Sequence, residues 1–176
     1  LVAGMAEVAK CGFIADTEIL TLIKHGWRTN LAELIYRSIK VKGDVVSSDF
    51  RESFAREALN YGHTLGHAIE KHSKYSLRHG ECVAIGLVFA AELSALKSGL
   101  SEQGVQEHYA ILEHCGLPTE YSGVAWESLL ELMQKDKKKG KLGLRFVTLS
   151  EIGVVRRCED VTAEELKELF LSKVGR

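Results

Sequence analysis

The sequence has almost no proline, with one in 176 residues, so little in it interrupts a helix. It does not lack apolar residues: 45% of the chain is hydrophobic, 27% is charged and 7% is aromatic. This composition excludes a disordered or collagen-like chain. The length is near the ~150 residues of one domain and lets roughly two-thirds of the unfolded surface be buried. Because such a core needs no metal for stability, any bound metal is expected to serve chemistry.

An excess of charge of either sign is also lacking. Lys and Arg total 23 against 24 Asp and Glu, so the net charge of -1 gives no basic field for nucleic acid or for an anionic membrane. The longest apolar stretch, around residues 82–91, is too short to cross a bilayer. We therefore expect no nucleic acid or membrane partner and a cytoplasmic location, and any bound anion must be held by a local site.

Closely spaced cysteines are missing as well. Cys11, Cys82, Cys115 and Cys158 form no C-x-x-C pair, which excludes a thiolate zinc site and a redox pair. They are predicted to be buried thiols in a reducing compartment. The chain starts at Leu1 in the middle of an apolar pattern, without an initiator Met, which predicts that it is cut from a longer protein.

Apolar residues recur at helical spacing along most of the chain, which predicts a mainly α fold: one helical bundle domain over residues 1–176 with one small β-hairpin. Glycine, asparagine and threonine signals place the boundaries. Helices are expected over residues 1–11, 16–25, 31–47, 54–60, 62–71, 79–98, 102–115, 126–135 and 162–173, the first ended by Gly12 and the last opened by a Thr162 capping box. The hairpin is expected to pair residues 144–149 with 153–157.

Residues 56–70 concentrate polar groups and glycines in an otherwise apolar, helical chain, and residues 78–81 form a second such focus. A lone histidine on a helix is usually structural, but each added polar group weakens that interpretation. Glycine costs about 1 kcal/mol relative to alanine in a helix. Gly62, Gly66 and Gly80 therefore predict that something approaches the backbone closely.

Two metal sites are compatible with the spacing. His63 and His67 form an H-x-x-x-H pair on one helix face, with Glu70, or through the fold Glu81 or Glu7, as the carboxylate ligand. Alternatively His63 and His79 bind with one carboxylate, which leaves His67 for proton transfer or anion binding. Either set leaves coordination positions open, as catalytic metal sites do, and suits Zn, Co or Fe.

The order and spacing of several motifs strongly resemble the 3-dehydroquinate synthase family over nearly the whole chain. These motifs are Gly4-Met-Ala-Glu7-Val-Ala-Lys10-Cys-Gly12, Lys42-Gly-Asp44, Arg56-x-x-Leu59-Asn60-x-Gly62-His63-Thr64-x-Gly66-His67-Ala68-x-Glu70, His79-Gly80-Glu81 and Asp136-Lys137-Lys138. The resemblance is to the C-terminal, helical domain of the dehydroquinate synthase and iron-dependent alcohol dehydrogenase-like fold. The family's N-terminal nucleotide-binding domain, with its glycine-rich turns for NAD, is absent from this chain.

The resemblance implies specific residue roles. Glu7, His63 and His79 match the metal ligands, which selects the second arrangement. Residues that match contacts to the substrate or its phosphonate analogues are Arg56, Asn60, His67 and Lys137, the last favoured over Lys138. Lys10 and Lys42 match lysines that face the substrate's ring hydroxyls and carboxylate. Glu81, next to His79, is expected to hold a ligand ring in orientation.

The implied activity is that of a phosphorus–oxygen lyase of the shikimate pathway. Such an enzyme converts 3-deoxy-D-arabino-heptulosonate 7-phosphate to 3-dehydroquinate and phosphate by NAD-assisted oxidation, β-elimination, reduction and aldol closure. The implied cofactors are a divalent metal, Zn or Co, and NAD bound mainly by the missing domain; the whole enzyme is expected to be a homodimer, and the chain alone inactive. The alternatives are a related sugar-phosphate cyclase, such as a 2-deoxy-scyllo-inosose or sedoheptulose-phosphate cyclase, and a non-catalytic metal-binding or dimerisation module.

Overall fold

A computed structural model describes residues 1–48, 56–137 and 144–176. Within these ranges the chain forms helices and one antiparallel hairpin, so the predicted mainly α fold is confirmed. In chain order the elements are α1 (Gly4–Ile14), α2 (Glu18–Lys24), α3 (Leu31–Ser48), a short 3-10 turn (Ala58–Asn60), α4 (His63–His72), α5 (His79–Lys97), α6 (Glu102–His114), α7 (Trp126–Lys137), β1 (Phe146–Glu151), β2 (Val154–Cys158) and α8 (Ala163–Lys173).

Helix α5 is the centre of the bundle, because α1, α4, α6, α8 and β1 all pack against it. Its residues are apolar on every side, as the sequence predicts for a central helix. By length and composition alone it could also cross a membrane, since its 18-residue window has a mean hydropathy of 1.4. That window is 72% buried inside the protein, as expected for a core helix.

The end of α1 differs from the prediction. The helix runs through Gly12 and stops at Ile14, where Ala15 leaves the helical conformation with φ -153°. Position 12 is a glycine because the side chain of Leu20 on α2 lies where a Cβ atom would be. A glycine that was interpreted as a stop signal is therefore a packing position.

The path from Arg56 to His67 is not one helix. Residues 56–60 form a helical turn, Tyr61 is extended at φ -54° and ψ 124°, and Gly62 adopts the left-handed conformation with φ 78° before α4 begins. Asn60 and His67 are seven residues apart, which from the sequence predicts a helical path with both on the same side, two turns apart. The break at Tyr61 and Gly62 shows that this prediction is wrong. Tyr61 and Gly62 instead set the direction of α4 independently of the preceding turn.

The hairpin pairs Phe146 with Cys158 at its open end and packs β1 against α5. The backbone N–H of Leu149 donates to Oγ of Ser94 at 2.9 Å, which fixes the strand to the central helix. The predicted capping box at α8 is confirmed, with Glu165 N–H donating to Thr162 Oγ1 and Thr162 N–H to Glu165 Oε2. The four cysteines are buried thiols, as predicted.

Candidate metal and substrate site

The starts of α1 and α4 both lie on the N-terminal half of α5, because backbones approach each other closely there. A Cβ atom at Gly80 would overlap the backbone oxygen of Ala3, so the first turn of α5 lies directly on the start of α1. A Cβ atom at Gly86 would overlap the carbonyl oxygen of Gly62, which brings α4 onto α5 in the same way. The close approach predicted from the glycines is thus made by neighbouring helices.

These contacts bring together Glu7 of α1, His63 of α4 and His79 of α5, which we call the Glu7 cluster. Oε1 of Glu7 lies 3.1 Å from Nε2 of His63 and 3.6 Å from Nε2 of His79. The Glu7 and His63 side chains are 25% and 13% exposed, whereas that of His79 is 45% exposed. The cluster is therefore mostly buried at Glu7 and His63 and open to solvent at His79.

The other ring nitrogens of the two histidines have acceptor partners. Nδ1–H of His63 donates to the carbonyl oxygen of Tyr61 at 3.0 Å, and Nδ1 of His79 faces Oε1 of Glu70 at 3.3 Å. With its proton on Nδ1, each neutral imidazole directs the lone pair of Nε2 toward the Glu7 carboxylate. Both Nε2 lone pairs thus face the same oxygen of Glu7, at 3.1 and 3.6 Å.

Such a convergence of acceptors is what a divalent cation requires. Ligands bound at ~2.1 Å in a tetrahedral arrangement are about 3.4 Å apart, and the observed separations of 3.1 and 3.6 Å bracket that value. A hydrogen-bonded second ring nitrogen is also the usual state of a metal-binding histidine. The residues present therefore fit a divalent metal ion.

The second oxygen of Glu7 is held by lysines. Nζ of Lys10, which is almost fully buried, donates to Oε2 of Glu7 at 2.9 Å and to the carbonyl oxygen of Leu59 at 2.7 Å. Nζ of Lys42 on α3 lies 3.5 Å from the same carboxylate oxygen. Both lysines that match substrate-binding lysines of the family therefore face Glu7 in this structure. They bind its Oε2 atom and leave Oε1 facing the histidines.

The charge state of Glu7 follows from these neighbours. Burial by itself would raise the pKa of the Glu7 carboxyl group. In the metal-free protein a protonated His63 donates from Nε2–H to Glu7, and this hydrogen bond and the adjacent Lys10 ammonium more than offset the effect of burial. They hold the pKa of Glu7 well below its usual range, and a bound metal would take the place of the Nε2 proton. The carboxylate is thus ionised over the whole physiological pH range, as a metal ligand must be.

His67 lies beside the cluster on α4. Its ring centre is 5.2 Å from that of His63 and 5.8 Å from that of His79. One ligand atom from each of these three histidines lies within 4.8 Å of the other two, so they form a second possible metal-ligand group. Oε1 of Glu7 lies nearer than 4.8 Å to Nε2 of both His63 and His79, at 3.1 and 3.6 Å.

Glu70 has the role that the sequence suggests for Glu81. Glu81 was expected to orient a ligand ring, but its Oε2 accepts from the backbone N–H of Arg78 at 2.8 Å and caps α5. Glu70 was considered only as a ligand, yet it contacts Nδ1 of His79. The position of Glu70 one turn after His67 was the sequence signal that could have predicted this contact. No sequence signal predicts that the carbonyl oxygen of Tyr61 binds Nδ1 of His63.

The remaining candidates are Arg56, Asn60 and Lys137. Arg56 and Asn60 are exposed on residues 56–60, which we call the 56–60 turn. Asn60 borders a small cavity between this turn, α5 and the hairpin, with Thr64 and Phe146 also in its wall. Lys137 ends α7, but its side chain and the whole of Lys138 fall outside the described residues.

The fold and the site together define a helical domain with a candidate catalytic metal centre. The family described as 3-dehydroquinate synthase C-terminal matches residues 4–139. The 3-dehydroquinate synthase of Corynebacterium jeikeium is 45% identical over 184 aligned positions, which cover 99% of this chain and 49% of the relative. That of Saccharopolyspora erythraea is 51% identical over 166 positions, 90% of this chain and 45% of the relative. The chain belongs to the 3-dehydroquinate synthase family.

Solved structures of sugar phosphate cyclases share the fold. A 2-epi-5-epi-valiolone synthase from Streptomyces hygroscopicus subsp. jinggangensis, with NAD+ and Zn2+ bound, superimposes with a TM-score of 0.85 at 19% identity, covering 97% of this chain and 50% of that one. A 2-deoxy-scyllo-inosose synthase complexed with carbaglucose-6-phosphate, NAD+ and Co2+ gives a TM-score of 0.76 at 22% identity, covering 98% and 52%. The chain thus spans about half the length of the proteins it matches.

Proposed function

We propose that this chain is the metal- and substrate-binding part of a 3-dehydroquinate synthase. The whole protein would convert 3-deoxy-D-arabino-heptulosonate 7-phosphate to 3-dehydroquinate and phosphate. The observation that carries the proposal is the meeting of Oε1 of Glu7 with Nε2 of His63 and His79, on a chain of this family. The relatives that are 45% and 51% identical to it bear that name.

Glu7, His63 and His79 would hold the metal ion. The short separations of Oε1 of Glu7 from both Nε2 atoms, and the acceptor partners of both Nδ1 atoms, support this set over the three histidines. A divalent ion there supplies several kcal/mol of stabilisation for negative charge on a substrate oxygen. The relatives solved with Zn2+ or Co2+ favour one of these two metals.

The chain's own side chains would bind and orient the substrate. Arg56 and Asn60, with Lys137, are proposed to donate hydrogen bonds to the phosphate group, because a protein with a net charge of -1 can hold a phosphate only where donors are concentrated. Lys10 holds Glu7 in place, and Lys42, whose side chain is 47% exposed, can also reach a substrate carboxylate or hydroxyl. His67 is proposed to transfer protons, because an imidazole can both accept and donate a proton.

The oxidation and reduction steps need a nucleotide. We propose that NAD is bound mainly by a domain outside these 176 residues, since the matched relatives are about twice as long. The whole enzyme is proposed to be a cytoplasmic homodimer, and the 176-residue chain alone is expected to give no turnover.

The test is phosphate release and NAD-dependent turnover by the full-length protein with zinc or cobalt. Three substrates are compared on one preparation: 3-deoxy-D-arabino-heptulosonate 7-phosphate, sedoheptulose 7-phosphate and glucose 6-phosphate. Turnover of the first alone supports the proposal. Preference for either other sugar phosphate would assign a related cyclase, and metal binding without turnover of any of them would leave a non-catalytic module.

A further inference from the structure

A carboxylate next to Arg56 binds two arginines of the hairpin. Oε1 of Glu57 accepts from Nη1 of Arg145 at 3.0 Å, and Oε2 accepts from Nε and Nη2 of Arg157 at 2.9 and 2.8 Å. Arg145 also pairs with Glu159 at 2.8 Å. The two arginines are far from Glu57 in sequence, so the contact joins distant parts of the chain.

Glu57 directly follows Arg56 in the sequence. It is the residue just before the 3-10 turn that ends at Asn60. A second contact joins the hairpin strand to α4, since Oγ1 of Thr64 donates to the carbonyl oxygen of Arg145 at 3.3 Å. The hairpin thus holds the chain on both sides of the Tyr61–Gly62 break. Without these contacts the 56–60 turn would keep the Lys10 bond to the carbonyl oxygen of Leu59, but not its link to the hairpin.

We propose that Glu57 is a positioning residue for phosphate recognition. Its ion pairs with Arg145 and Arg157 hold the 56–60 turn against the hairpin, so that Arg56 and Asn60 present their donors at a defined place. This inference rests on the proposed function. It assigns a role to the hairpin, and it adds Glu57, Arg145 and Arg157 to the residues on which substrate affinity depends.

Electrostatics alone would argue for the opposite effect of Glu57. A carboxylate beside an anion site repels a phosphate group, and its removal leaves more positive charge near that site. The pairing makes the group of Glu57, Glu159, Arg145 and Arg157 neutral overall. Because position and charge predict changes of opposite sign, a single substitution distinguishes them.

The experiment uses the full-length protein loaded with zinc and a phosphonate analogue of 3-deoxy-arabino-heptulosonate 7-phosphate, with its dissociation constant measured by calorimetry. Glu57→Gln is compared with Glu159→Gln. Each substitution removes one negative charge beside the same arginines, but only Glu57 is joined to the 56–60 turn. We expect Glu57→Gln to weaken analogue binding by about five- to twentyfold and Glu159→Gln to leave it unchanged or tighter.

The double variant Glu57→Gln/Arg157→Gln restores the net charge without restoring the ion pairs, and we expect it to bind the analogue as weakly as Glu57→Gln. Zinc affinity should match that of the unmodified protein in all three variants. Unchanged or tighter binding in Glu57→Gln, recovery in the double variant, or loss of zinc in parallel would overturn the role of Glu57. An unmodified protein that does not bind the analogue would overturn the proposed function as well.

Discussion

Glu7, His63 and His79 are carried by three helices packed backbone against backbone, whereas Arg56 and Asn60 lie on a short exposed turn held by hydrogen bonds and ion pairs. The helices of the first region are positioned by backbone contacts that do not depend on salt, and the buried Lys10 holds Glu7 between them. The second depends on partly exposed charges, which water and salt weaken. Metal binding and phosphate binding should therefore be separable by mutation.

The largest effect is expected from breaking the helix contact beneath the Glu7 cluster. Gly80→Ala places a Cβ atom on the backbone oxygen of Ala3, and backbone cannot move aside as a side chain can. We expect a loss of about 2–3 kcal/mol in the free energy of unfolding and a fall of more than about 100-fold in zinc affinity. Chemical denaturation and zinc titration measure both.

Gly43→Ala is the matched control, because Gly43 lies within α3 with open space where its Cβ atom would be. It should raise stability by about 0.5–1 kcal/mol without changing zinc affinity. Equal behaviour of the two variants would show that the close contact at Gly80 does not shape the site.

The buried core next to α1 and Tyr61 is expected to lose stability at acid pH. His108 is fully buried, stacks on Phe13, donates from Nδ1–H to the carbonyl oxygen of Gly104 and accepts from the hydroxyl of Tyr61 at 2.9 Å. Burial lowers the pKa of His108 to about 4. The unfolded chain, with an imidazole pKa near 6.5, therefore binds the extra proton first as the pH falls.

The contribution of His108 to stability is thus complete above pH 6.5 and is lost progressively as the pH falls to about 4, by about 3 kcal/mol in total. Unfolding measured between pH 7 and pH 4 on the metal-free protein tests this. In His108→Gln, which does not titrate, the pH dependence over this interval should be smaller by that amount. An identical pH dependence would contradict the buried neutral state of His108.

A finer test within the Glu7 cluster compares two glutamates. Glu70→Gln removes the carboxylate that faces Nδ1 of His79, and partners of this kind usually contribute 10–100-fold to metal affinity. We therefore expect a drop of roughly that size. Glu81→Gln, which is nearer to His79 in sequence but caps α5, should leave zinc affinity unchanged. The reverse ranking, measured by chelator competition, would restore Glu81 as the residue that orients the ligand.

Changes at the 56–60 turn are expected to have the smallest effect on metal binding. They should weaken substrate recognition and leave the bound metal unchanged. In the full-length enzyme Arg56→Ala should lower kcat/KM about ten- to a hundredfold, because a charged hydrogen-bond partner contributes roughly 1.5–3 kcal/mol. Zinc content should not change. Arg156→Ala, which removes an exposed arginine of β2, is the control and should change neither value. Zinc lost in parallel with activity would show that the two regions are not separable.

Local signals in the sequence predict most of the elements. The capping box at Thr162 and the apolar pattern of α5 need only neighbouring residues, so these predictions agree with the structure. Gly12 was misinterpreted because its reason for being glycine, contact with Leu20, comes from a different helix. A local pattern does not contain that information.

The candidate site was predictable in its residue types but not in its contacts. Spacing alone left two ligand sets open, and only the resemblance to a family selected Glu7 among the possible carboxylates. The Tyr61 carbonyl oxygen at His63 and the lysines on Glu7 depend on how α1, α3 and α4 pack. The pairing of Glu57 with the hairpin joins residues that no sequence period relates.

The central claim is that Glu7, His63 and His79 bind the metal ion, and zinc stoichiometry in two histidine variants tests it most directly. In the full-length protein, purified under identical conditions and analysed by elemental analysis, His79→Ala should lose stoichiometric zinc while His67→Ala retains nearly all of it. Circular dichroism verifies that both remain folded. Retention of zinc in His79→Ala together with its loss in His67→Ala would contradict the claim and assign the metal to the H-x-x-x-H pair.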